Sequence, residues 1–573
     1  MKNKQKLQFT WKRQALNEAS RIDYFLIQND LLNSVISSDI RPAQISKTSH
    51  LSVSLKLKLG EQNRGSGLWK INNSILQDEN YRSLIIRTIE NSKATSSSSN
   101  FTAHNVWEKI KIDVREATQS YSKLKAKQIR NRCTSLENTL QTLHQIQDEN
   151  MDINENLNTE IMNTERELDS IYEYRAKGAQ IRARAEWIEQ GEKNTKFFLN
   201  LEKSRQIKKN IKTLNSTDGR IITDQSDILN ELVNYYKNLY TTKINDTAKM
   251  TTYLNSTHLA KTLSQTDMHV CEQNITPEEC KLSLFSMKLN KSPGSDGLSV
   301  EFYQAFWDHL WGPFMNSLNE SIRKSQLSDT QSHGVLSLIF KSGDETNLNN
   351  WRPITLLNVD YKIITRTLAQ RLQKVITKIV STDQNGYIKS RFIGFSIRQI
   401  QDIIDYAEEG NLEGVLLFLD YQKAFDSIEW NFMNLALEKF GFGHNFINSV
   451  KMLYKNANNS IINNGWVSNS FSVSREIRQG CPISALLYIL SAEIMAENIR
   501  NNMHIKGIKV RQSKELKLTQ MADDTTVFLE SENCIPALLN EIQRFSEASG
   551  LILNKSKTKG ILLGRETDAI TDI

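Results

Sequence analysis

The residues best suited to chemistry stand near the end of the chain, where Asp523 and Asp524 are adjacent within LKLTQMADDTTVFLE. Apolar and β-branched residues on both sides predict two short strands, and Asp favours the turn between them. The pair is therefore either a polar turn or part of a carboxylate site. A further acidic residue at another strand end would favour the site.

Such a residue is Asp420, which follows five consecutive apolar residues, Val415 to Leu419. This run predicts a strand buried on both faces, with the charge emerging at the edge of the sheet. The alternative is an Asp that caps a helix beginning in YQKAFDSIEW. The run itself is compatible with both interpretations.

Three carboxylates would share one small volume if the Asp420 strand packs beside the hairpin that contains Asp523. Like charges at that separation raise one another's pKa values unless cations neutralise them. Oxygen ligands suit Mg²⁺, which also accepts substrate phosphates as ligands. Two such ions about 3.5–4 Å apart activate a hydroxyl nucleophile and stabilise the leaving oxygen. The predicted chemistry is therefore nucleotidyl transfer.

The elements that must position these carboxylates lie in a mixed α/β region. Beyond Pro277, strand-like runs such as GVLSLIF alternate with helical runs such as YKIITRTLAQRLQKVI. Between Pro42 and Pro277 the chain contains no proline, and apolar spacing such as Leu136, Leu140 and Leu143 predicts mostly helix. The serine-rich stretch from Ser92 to Asn100 predicts a linker.

Composition sets broad limits on the class of protein. The chain has 573 residues, 39% of them hydrophobic, which is enough for several domains. Its net charge of +7 permits a polyanionic partner without requiring one. The five cysteines form no CxxC pair and indicate neither a disulfide framework nor a zinc site. No apolar run approaches the roughly 18 residues of a membrane-spanning helix, so no membrane is expected.

Three ordered segments, FLDYQKAFDSIEW, IRQGCPISALLY and MADDTTVF, resemble the reverse transcriptases of LINE-type non-LTR retrotransposons. The resemblance extends from LNKSPGSDGLSVEFYQAFW to GLILNKSKTKGILLG, about residue 285 to the end. It implies a right-hand polymerase with palm and fingers. Asp420, Asp523 and Asp524 would be its catalytic set and would bind Mg²⁺ or Mn²⁺, with Asp523 the stronger ligand of the adjacent pair.

The same resemblance implies a nucleotide pocket. Lys341 and Arg352 would bind the triphosphate, as a guanidinium suits phosphate oxygens, although either could be a solvated surface charge. Phe425 would lie under the sugar and exclude a 2′-hydroxyl; otherwise it is a core residue. Gln479 and Gly480 would line the pocket. Lys557 would lie near the leaving pyrophosphate, a role that Lys555 or Lys559 could also fill.

Basic residues are concentrated between Gly191 and Asn215, where seven Lys or Arg stand against two Glu, with Phe197 and Phe198 among them. This stretch is either an amphipathic helix or an RNA-binding surface, and the resemblance to the linker of these elements favours RNA binding. The residues expected to contact nucleic acid are Lys193, Lys196, Lys203, Arg205, Lys208 and Lys209.

Both ends depart from the full-length family pattern. The first 75 residues resemble the tail of an apurinic/apyrimidinic-type endonuclease in which Asp23 would orient His50. Ser49 stands where that family has Asp, and a hydroxyl cannot replace a carboxylate base, so no nicking activity is expected. The expected division is an endonuclease remnant at 1–75, a helical basic linker at 76–284, and fingers and palm at 285–573. The family's thumb is missing from this division, and without it primer and template should be held poorly.

The expected function is RNA-directed DNA polymerisation in target-primed reverse transcription. The implied partners are template RNA, a DNA primer or target, and dNTPs, in an intracellular ribonucleoprotein of nucleus and cytoplasm. One alternative is an inactive or domesticated RNA-binding relic, which the truncations favour and the intact acidic set does not. The other is an RNA-dependent RNA polymerase, which Phe425 disfavours because such an enzyme must admit the 2′-hydroxyl.

Overall fold

The fold is that of a computed structural model, which describes residues 9–13, 18–41, 50–58, 64–97, 101–149, 155–183, 210–216, 218–410, 412–510, 514–564 and 570–572. The chain divides into two compact units. Unit 1 comprises residues 1–65 and 119–210, and unit 2 comprises residues 66–118 and 211–573. Helices and sheets are mixed, which confirms the predicted α/β class. The predicted boundaries at 75 and 284 remain predictions.

The α-helices of the described residues are α1 (Glu79–Ser97), α2 (Ala103–Glu149), α3 (Glu155–Ala183), α4 (Gln225–Leu239), α5 (Thr247–Ser256), α6 (Gln265–Glu272), α7 (Pro277–Phe285), α8 (Val300–Lys324), α9 (Asp329–Ser332), α10 (Val359–Ile379), α11 (Ile393–Gly410), α12 (Ala424–Ser427), α13 (Trp430–Lys439), α14 (His444–Tyr454), α15 (Ser484–Asn501) and α16 (Ile535–Ser549). Short 3₁₀ helices occupy Asn29–Ser34, Asn73–Gln77, Leu348–Asn350 and Glu532–Cys534.

The strands are β1 (Trp11–Arg13), β2 (Glu18–Ser20), β3 (Val35–Arg41), β4 (Ser52–Leu57), β5 (Leu214–Asn215), β6 (Ile221–Ile222), β7 (His333–Phe340), β8 (Trp351–Leu356), β9 (Gly414–Leu419), β10 (Asn458–Asn463), β11 (Trp466–Val467), β12 (Phe471–Ser472), β13 (Ile508–Val510), β14 (Lys514–Leu516), β15 (Leu518–Met521), β16 (Asp524–Leu529), β17 (Lys559–Leu563) and β18 (Ile570–Asp572).

In unit 1, helices α2 and α3 pack along an apolar stripe. Leu136, Leu140 and Leu143 of α2 are buried together with Ile161 and Leu168 of α3. Spacings of three and four residues place the leucines on one helix face, as the sequence predicts. The unit also contains two antiparallel pairs, β1 with β2 and β3 with β4.

Unit 2 contains a five-stranded sheet in the order β15-β16-β9-β17-β18, whose neighbouring strands are all antiparallel. Four of the five apolar residues preceding Asp420 are buried in β9, as predicted for a central strand. Ile403 and Ala407 of α11 pack against Leu416 and Phe528 on this sheet. Helix packing thus covers the strands whose ends carry the carboxylates.

A second sheet of unit 2 joins β11, β10, β7 and β8 in that order, with β12 also paired to β10. Strands β7 and β10 are parallel, whereas β7 and β8 are antiparallel. Leu232 and Tyr236 of α4 pack with Leu336 and Leu338 of β7 in one buried cluster. Helix α4, from the region preceding the polymerase resemblance, therefore belongs to the core of this sheet.

The serine-rich stretch does not form the predicted linker through its described part. Helix α1 continues to Ser97, and Ser92 is 2% exposed. The Ser92 hydroxyl is 2.8 Å from the carbonyl oxygen of Thr88 and 2.7 Å from the Asp113 carboxylate. Because these partners satisfy the hydroxyl, serine is tolerated in a packed helix, and composition alone gives the wrong prediction.

No helix in the described part of the chain is long and apolar enough to cross a bilayer. The five cysteines are all buried and free.

A buried ion pair anchors the start of α2 within unit 2. The Lys111 ammonium is 2.9 Å from an Asp360 carboxylate oxygen, and the two side chains are 4% and 0% exposed. The Trp107 indole N–H donates to the same oxygen at 2.8 Å. Removal of one partner from such a pair leaves an uncompensated buried charge.

We expect Lys111→Met to destabilise unit 2 by about 3–5 kcal/mol, because Asp360 would remain buried without its cation. The matched control is Lys109→Met, which removes a more exposed pair with Asp113 and should cost about 0–1 kcal/mol. Urea unfolding of both variants measures the difference. Equal midpoints for the two variants would contradict a structural role for the buried pair.

Candidate active site at the end of the five-stranded sheet

The register of β9 against β16 brings the two acidic segments together. Thr525 pairs with Leu419, and the next residues toward the same end of the sheet are Asp524 and Asp420. On the other side of β16, Met521 pairs with Asp524, so that Ala522 and Asp523 form the two-residue turn. Asp420 therefore lies at the same end of the sheet as Asp523 and Asp524, although about a hundred residues separate it from them in sequence.

The other two carboxylates act on the pKa of Asp523. Burial raises the pKa of Asp523, and the negative charges of Asp524 and Asp420 raise it further. The Arg352 guanidinium acts in the opposite direction on the same pKa. A cation at this end of the sheet would relieve the repulsion that Asp523 experiences.

The side chains are not gathered into a finished coordination group. Within the described ranges, no three His, Cys, Asp or Glu side chains stand close enough together to hold a metal ion as placed. Asp420 instead accepts a hydrogen bond from the Asn554 side-chain amide at 2.8 Å. The metal-binding role of Asp420, Asp523 and Asp524 therefore stays a prediction.

Two residues that the sequence reasoning did not single out hold the acidic segments in place. The Asn554 backbone N–H donates to the Asp420 carbonyl at 2.7 Å, in addition to the side-chain contact. The Gln384 side-chain oxygen accepts from the backbone N–H groups of Ala522 and Gly386, at 2.9 and 2.8 Å. Both residues lie inside segments of the family resemblance, which was the only sequence signal for them.

The Asn554 loop also places one lysine of the predicted nucleotide pocket. A turn at 555–557 follows Asn554 directly, and Lys557 is exposed in it. This turn therefore adjoins the residue that contacts Asp420. The pyrophosphate role of Lys557 remains a prediction, as does the choice among Lys555, Lys557 and Lys559.

Phe425 is half-buried rather than enclosed in the core. Its ring stacks on Tyr488 with centroids 4.6 Å apart and planes inclined by 19°. Burial and then the negative charge of Asp523 raise the pKa of Tyr488 well above its ordinary value. Tyr488 thus supports the Phe425 ring and lies close enough to Asp523 to feel its charge, a contact that the sequence reasoning missed.

Strand β8 and the Gln479–Gly480 segment lie against each other. The Thr355 N–H donates to the Gln479 carbonyl at 2.8 Å. Gly480 has φ +124°, and a Cβ there would lie 2.5 Å from the Thr355 carbonyl oxygen. Only glycine fits this close approach, which fixes the predicted pocket segment beside the strand that carries Arg352.

The predicted triphosphate-binding cations are both exposed. Arg352 projects from β8, and Lys341 follows β7 at the same end of that strand pair. The Lys341 N–H donates to the Asn350 carbonyl at 2.9 Å, which fixes its backbone. The charge of Arg352 lowers the pKa of Asp523.

A buried polar cluster around Asp426 lies behind the predicted pocket. Asp426 is 4% exposed, and burial raises its pKa to about 6. The Tyr240 hydroxyl and the Gln479 amide both donate to the same Asp426 oxygen, at 3.3 and 3.5 Å. Burial lowers the pKa of Lys423 to about 8, and its ammonium lies 4.4 Å from the centre of the Tyr235 ring.

This cluster was not predicted from sequence. Lys423 and Asp426 lie in FLDYQKAFDSIEW, and nothing in that segment indicates their partners. Their partners Tyr235 and Tyr240 come from α4 and its end, far away in sequence. Only folding brings these side chains together behind Gln479.

Two further predictions have different outcomes. The basic residues Lys193, Lys196, Lys203, Arg205, Lys208 and Lys209 lie outside the described residues.

In unit 1, His50 Nδ1 is 3.0 Å from an Asp23 carboxylate oxygen, and both side chains are well exposed. This geometry agrees with an Asp that orients His50, while the endonuclease resemblance itself stays a prediction.

Comparison with known proteins identifies the region that contains this site. Residues 339–569 match the family described as reverse transcriptase (RNA-dependent DNA polymerase). This range includes all three acidic residues and the predicted nucleotide pocket. The match confirms the reverse transcriptase resemblance.

Similar proteins come from transposable elements. The chain is 28% identical to the transposon TX1 uncharacterized 149 kDa protein of Xenopus laevis over 95% of this chain and 41% of that protein. It is 24% identical to a retrovirus-related Pol polyprotein from the type-1 retrotransposable element R2 of Popillia japonica, over 50% of this chain and 39% of that protein. A Pol polyprotein from the type-2 element R2DM of Drosophila melanogaster is also 24% identical, over 49% and 26%. The chain thus spans less than half the length of each relative.

We expect Asp426→Asn to change how stability depends on pH. Because burial raises the pKa of Asp426 to about 6, the folded chain binds this proton more tightly than the unfolded chain. The resulting stabilisation is complete below about pH 4 and is lost as the pH rises through about 6, with each pKa unit corresponding to about 1.4 kcal/mol. Since Asn cannot titrate, the stability of the variant relative to wild type should rise across this window.

Urea midpoints between pH 4 and pH 7 measure this difference. The matched control is Asp308→Asn, whose side chain is 84% exposed and should give a difference that is nearly independent of pH. If the difference in stability between Asp426→Asn and wild type does not change with pH, the raised pKa of Asp426 is refuted.

Proposed function

We propose, from the premise that residues 339–569 form a reverse transcriptase domain, that this chain is the RNA-directed DNA polymerase part of a non-LTR retrotransposon protein. It would extend a DNA primer on an RNA template. The observation that carries the proposal is the register of β9 and β16, which sets Asp420 beside Asp523 and Asp524 inside the matched region. In this proposal the five-stranded sheet is the palm, and β7 and β8 belong to the fingers.

The proposed reaction joins the primer hydroxyl to the α-phosphate of a dNTP and releases pyrophosphate. Asp420 and Asp523, with Asp524 as the lesser ligand, would hold Mg²⁺, or Mn²⁺ in its place, which supplies Lewis-acid activation for in-line displacement. The negative charges of Asp524 and Asp420, which raise the pKa of Asp523, support this assignment because a cation would offset them. Asn554 orients Asp420 through its two hydrogen bonds.

The nucleotide is proposed to lie between the carboxylates and β8. Arg352 would bind triphosphate oxygens with its forked donors, and Lys341 would add a second cation. The exposure of both side chains leaves them accessible to a substrate. Gln479 and Gly480 would line the pocket, with Gln479 held from behind by Asp426. Lys557 would lie near the leaving pyrophosphate.

Phe425 is proposed to select deoxyribonucleotides. A large ring at this position would overlap a ribose 2′-hydroxyl, and its stacking on Tyr488 limits how far it can move away. This support is the reason for preferring DNA synthesis over RNA synthesis. The physical basis of the selectivity is steric overlap rather than a lost hydrogen bond.

The remaining partners follow from the proposed reaction. Template RNA, a DNA primer or target end, and dNTPs are required for target-primed reverse transcription. The basic residues between Lys193 and Lys209 would contribute phosphate contacts to RNA. A ribonucleoprotein found in the nucleus and cytoplasm is the corresponding cellular form.

Asp523→Asn tests the proposed function by primer extension on an RNA template with Mg²⁺ and dNTPs. Loss of this charge removes several kcal/mol of transition-state stabilisation, so extension should fall about a thousandfold. Asp308→Asn, an exposed carboxylate on α8, is the matched control and should extend normally. Near-normal extension by Asp523→Asn would sink the mechanism, and RNA binding by a wild-type chain that cannot extend would favour the RNA-binding relic.

Phe425→Val tests sugar selection. The variant should admit ribonucleotides, and the ratio of kcat/KM for dNTP to that for rNTP should fall at least about tenfold, equivalent to about 1.4 kcal/mol. Phe425→Tyr keeps the ring and should keep the selectivity. If wild type does not discriminate between the sugars, or the valine variant retains its discrimination, Phe425 is only a packing residue.

A further inference from the structure

Three large rings stand exposed within a short stretch beside the candidate active site. Tyr387, Phe392 and Phe395 are 57%, 64% and 62% exposed, and we call them the aromatic patch. The Phe392 and Phe395 rings meet edge to face with centroids 6.2 Å apart. Exposed aromatic clusters of this kind mark interaction surfaces, because a partner that covers the rings removes a large apolar area from water.

The patch is attached to the edge of the sheet that carries the carboxylates. The backbone of Gln384 bridges Gln520 of β15, and the Asn385 N–H donates to the Gln520 carbonyl at 2.7 Å. Ser396, at the start of α11, forms hydrogen bonds with the Asn385 amide at 2.8 Å and the Thr519 hydroxyl at 3.0 Å. Strand β15 therefore fixes both ends of the segment that presents the rings.

The loop between these ends is also held rigidly. The Gln373 side chain donates to the Tyr387 carbonyl at 2.8 Å and accepts from the Lys389 N–H at 3.3 Å. The Arg391 guanidinium donates to the carbonyl oxygens of Val380, Ser381 and Gln384. Tyr387 keeps an uncommon positive φ of 51° within this frame. The Arg391 guanidinium therefore orders the backbone of this loop, while the three rings remain exposed to solvent.

The sheet order places the patch on one side of the acidic residues. Asp523 and Asp524 belong to the β15–β16 hairpin, and Asp420 follows β9, the next strand. Lys423 and Phe425 continue from the β9 side, whereas the patch lies beyond β15. An in-line displacement requires the attacking and leaving oxygens on opposite sides of the phosphorus. If the nucleotide occupies the β9 side, the attacking strand approaches from the β15 side.

We infer that the aromatic patch binds the DNA primer strand close to its reacting end, an inference that rests on the proposed polymerase function. The rings would pack on sugars and bases, which requires no particular base sequence. Lys389 is exposed in the segment that carries the rings and adds positive charge that suits a phosphate backbone, whereas the exposed Arg398 is paired with Asp402 at 2.7 Å. The charge of Lys389, together with the attachment of this segment to the Asp523 turn through Gln384, favours a nucleic acid as the occupant.

The test is Phe392→Ala/Phe395→Ala in the full chain, assayed by fluorescence anisotropy without dNTPs. One probe is a DNA primer annealed to an RNA template, and the other is the same RNA alone. The dissociation constant for the primed duplex should rise at least about tenfold, while that for RNA alone should stay within about twofold. Each single variant should give a smaller loss, which guards against misfolding of the double variant.

The matched control is Leu282→Ala/Phe285→Ala, which removes two exposed apolar side chains from α7. It should leave both dissociation constants unchanged. The inference is overturned if the patch variant weakens both probes equally, since the patch would then contact the template. It is also overturned if neither probe is weakened, as for a surface that docks protein, or if wild type does not prefer the primed duplex.

Failure of the proposed function is distinguishable from failure of this inference. Suppose that wild type prefers the primed duplex and the patch variant loses this preference, but wild type never extends the primer with Mg²⁺ and dNTPs. This result supports primer binding by the patch and refutes the polymerase activity. If the patch variant extends the primer normally and binds both probes as wild type does, the polymerase activity is supported and primer binding by the patch is refuted.

Discussion

The candidate site depends above all on the hydrogen-bonded register between β9 and β16. Because side chains alternate between the faces of a sheet, a slip of β9 by one residue would move Asp420 away from the Asp523 turn and turn every side chain of β9 to the opposite face. The nearly continuous burial of β9 opposes such a slip, since the apolar run is enclosed by neighbouring strands and by α11. Hydrophobic packing along the strands thus determines the spacing of charges at their end.

Close backbone approaches then bring the surrounding loops to that end of the sheet. Gly480 lies against Thr355, and Gly386 lies so near Ala522 that a Cβ would be 2.4 Å from its nitrogen. These contacts leave no room for side chains, so each loop is located by backbone geometry. Side-chain amides complete the arrangement, with Gln384 at the hairpin turn and Asn554 at Asp420. The acidic residues are consequently held by neutral groups, and the repulsion among them remains available for a cation to relieve.

Local patterns in the sequence were sufficient to predict helices and strands, but not the side chains that surround the site residues. The apolar run before Asp420, the hairpin at Asp523 and the leucine stripe of α2 were predictable because each depends on residues close in sequence. The serine-rich stretch was not, because Ser92 is satisfied by Asp113 on another helix. Tyr488 beneath Phe425 and the buried setting of Asp426 were also beyond prediction, since both arise from long-range packing. The family resemblance indicated which segments belong together, but it did not give the contacts between them.

The Asp426 cluster shows that the site extends beyond the segment matched by the family. Tyr235 and Tyr240 precede residue 339, yet one contacts Lys423 and the other donates to Asp426. The same Asp426 oxygen accepts from Gln479, which lies in the predicted nucleotide pocket. An unpaired carboxylate buried to this degree would be costly, so the Tyr240 hydroxyl helps to keep Asp426 available to Gln479. Helix α4 is therefore part of the structure that positions the pocket.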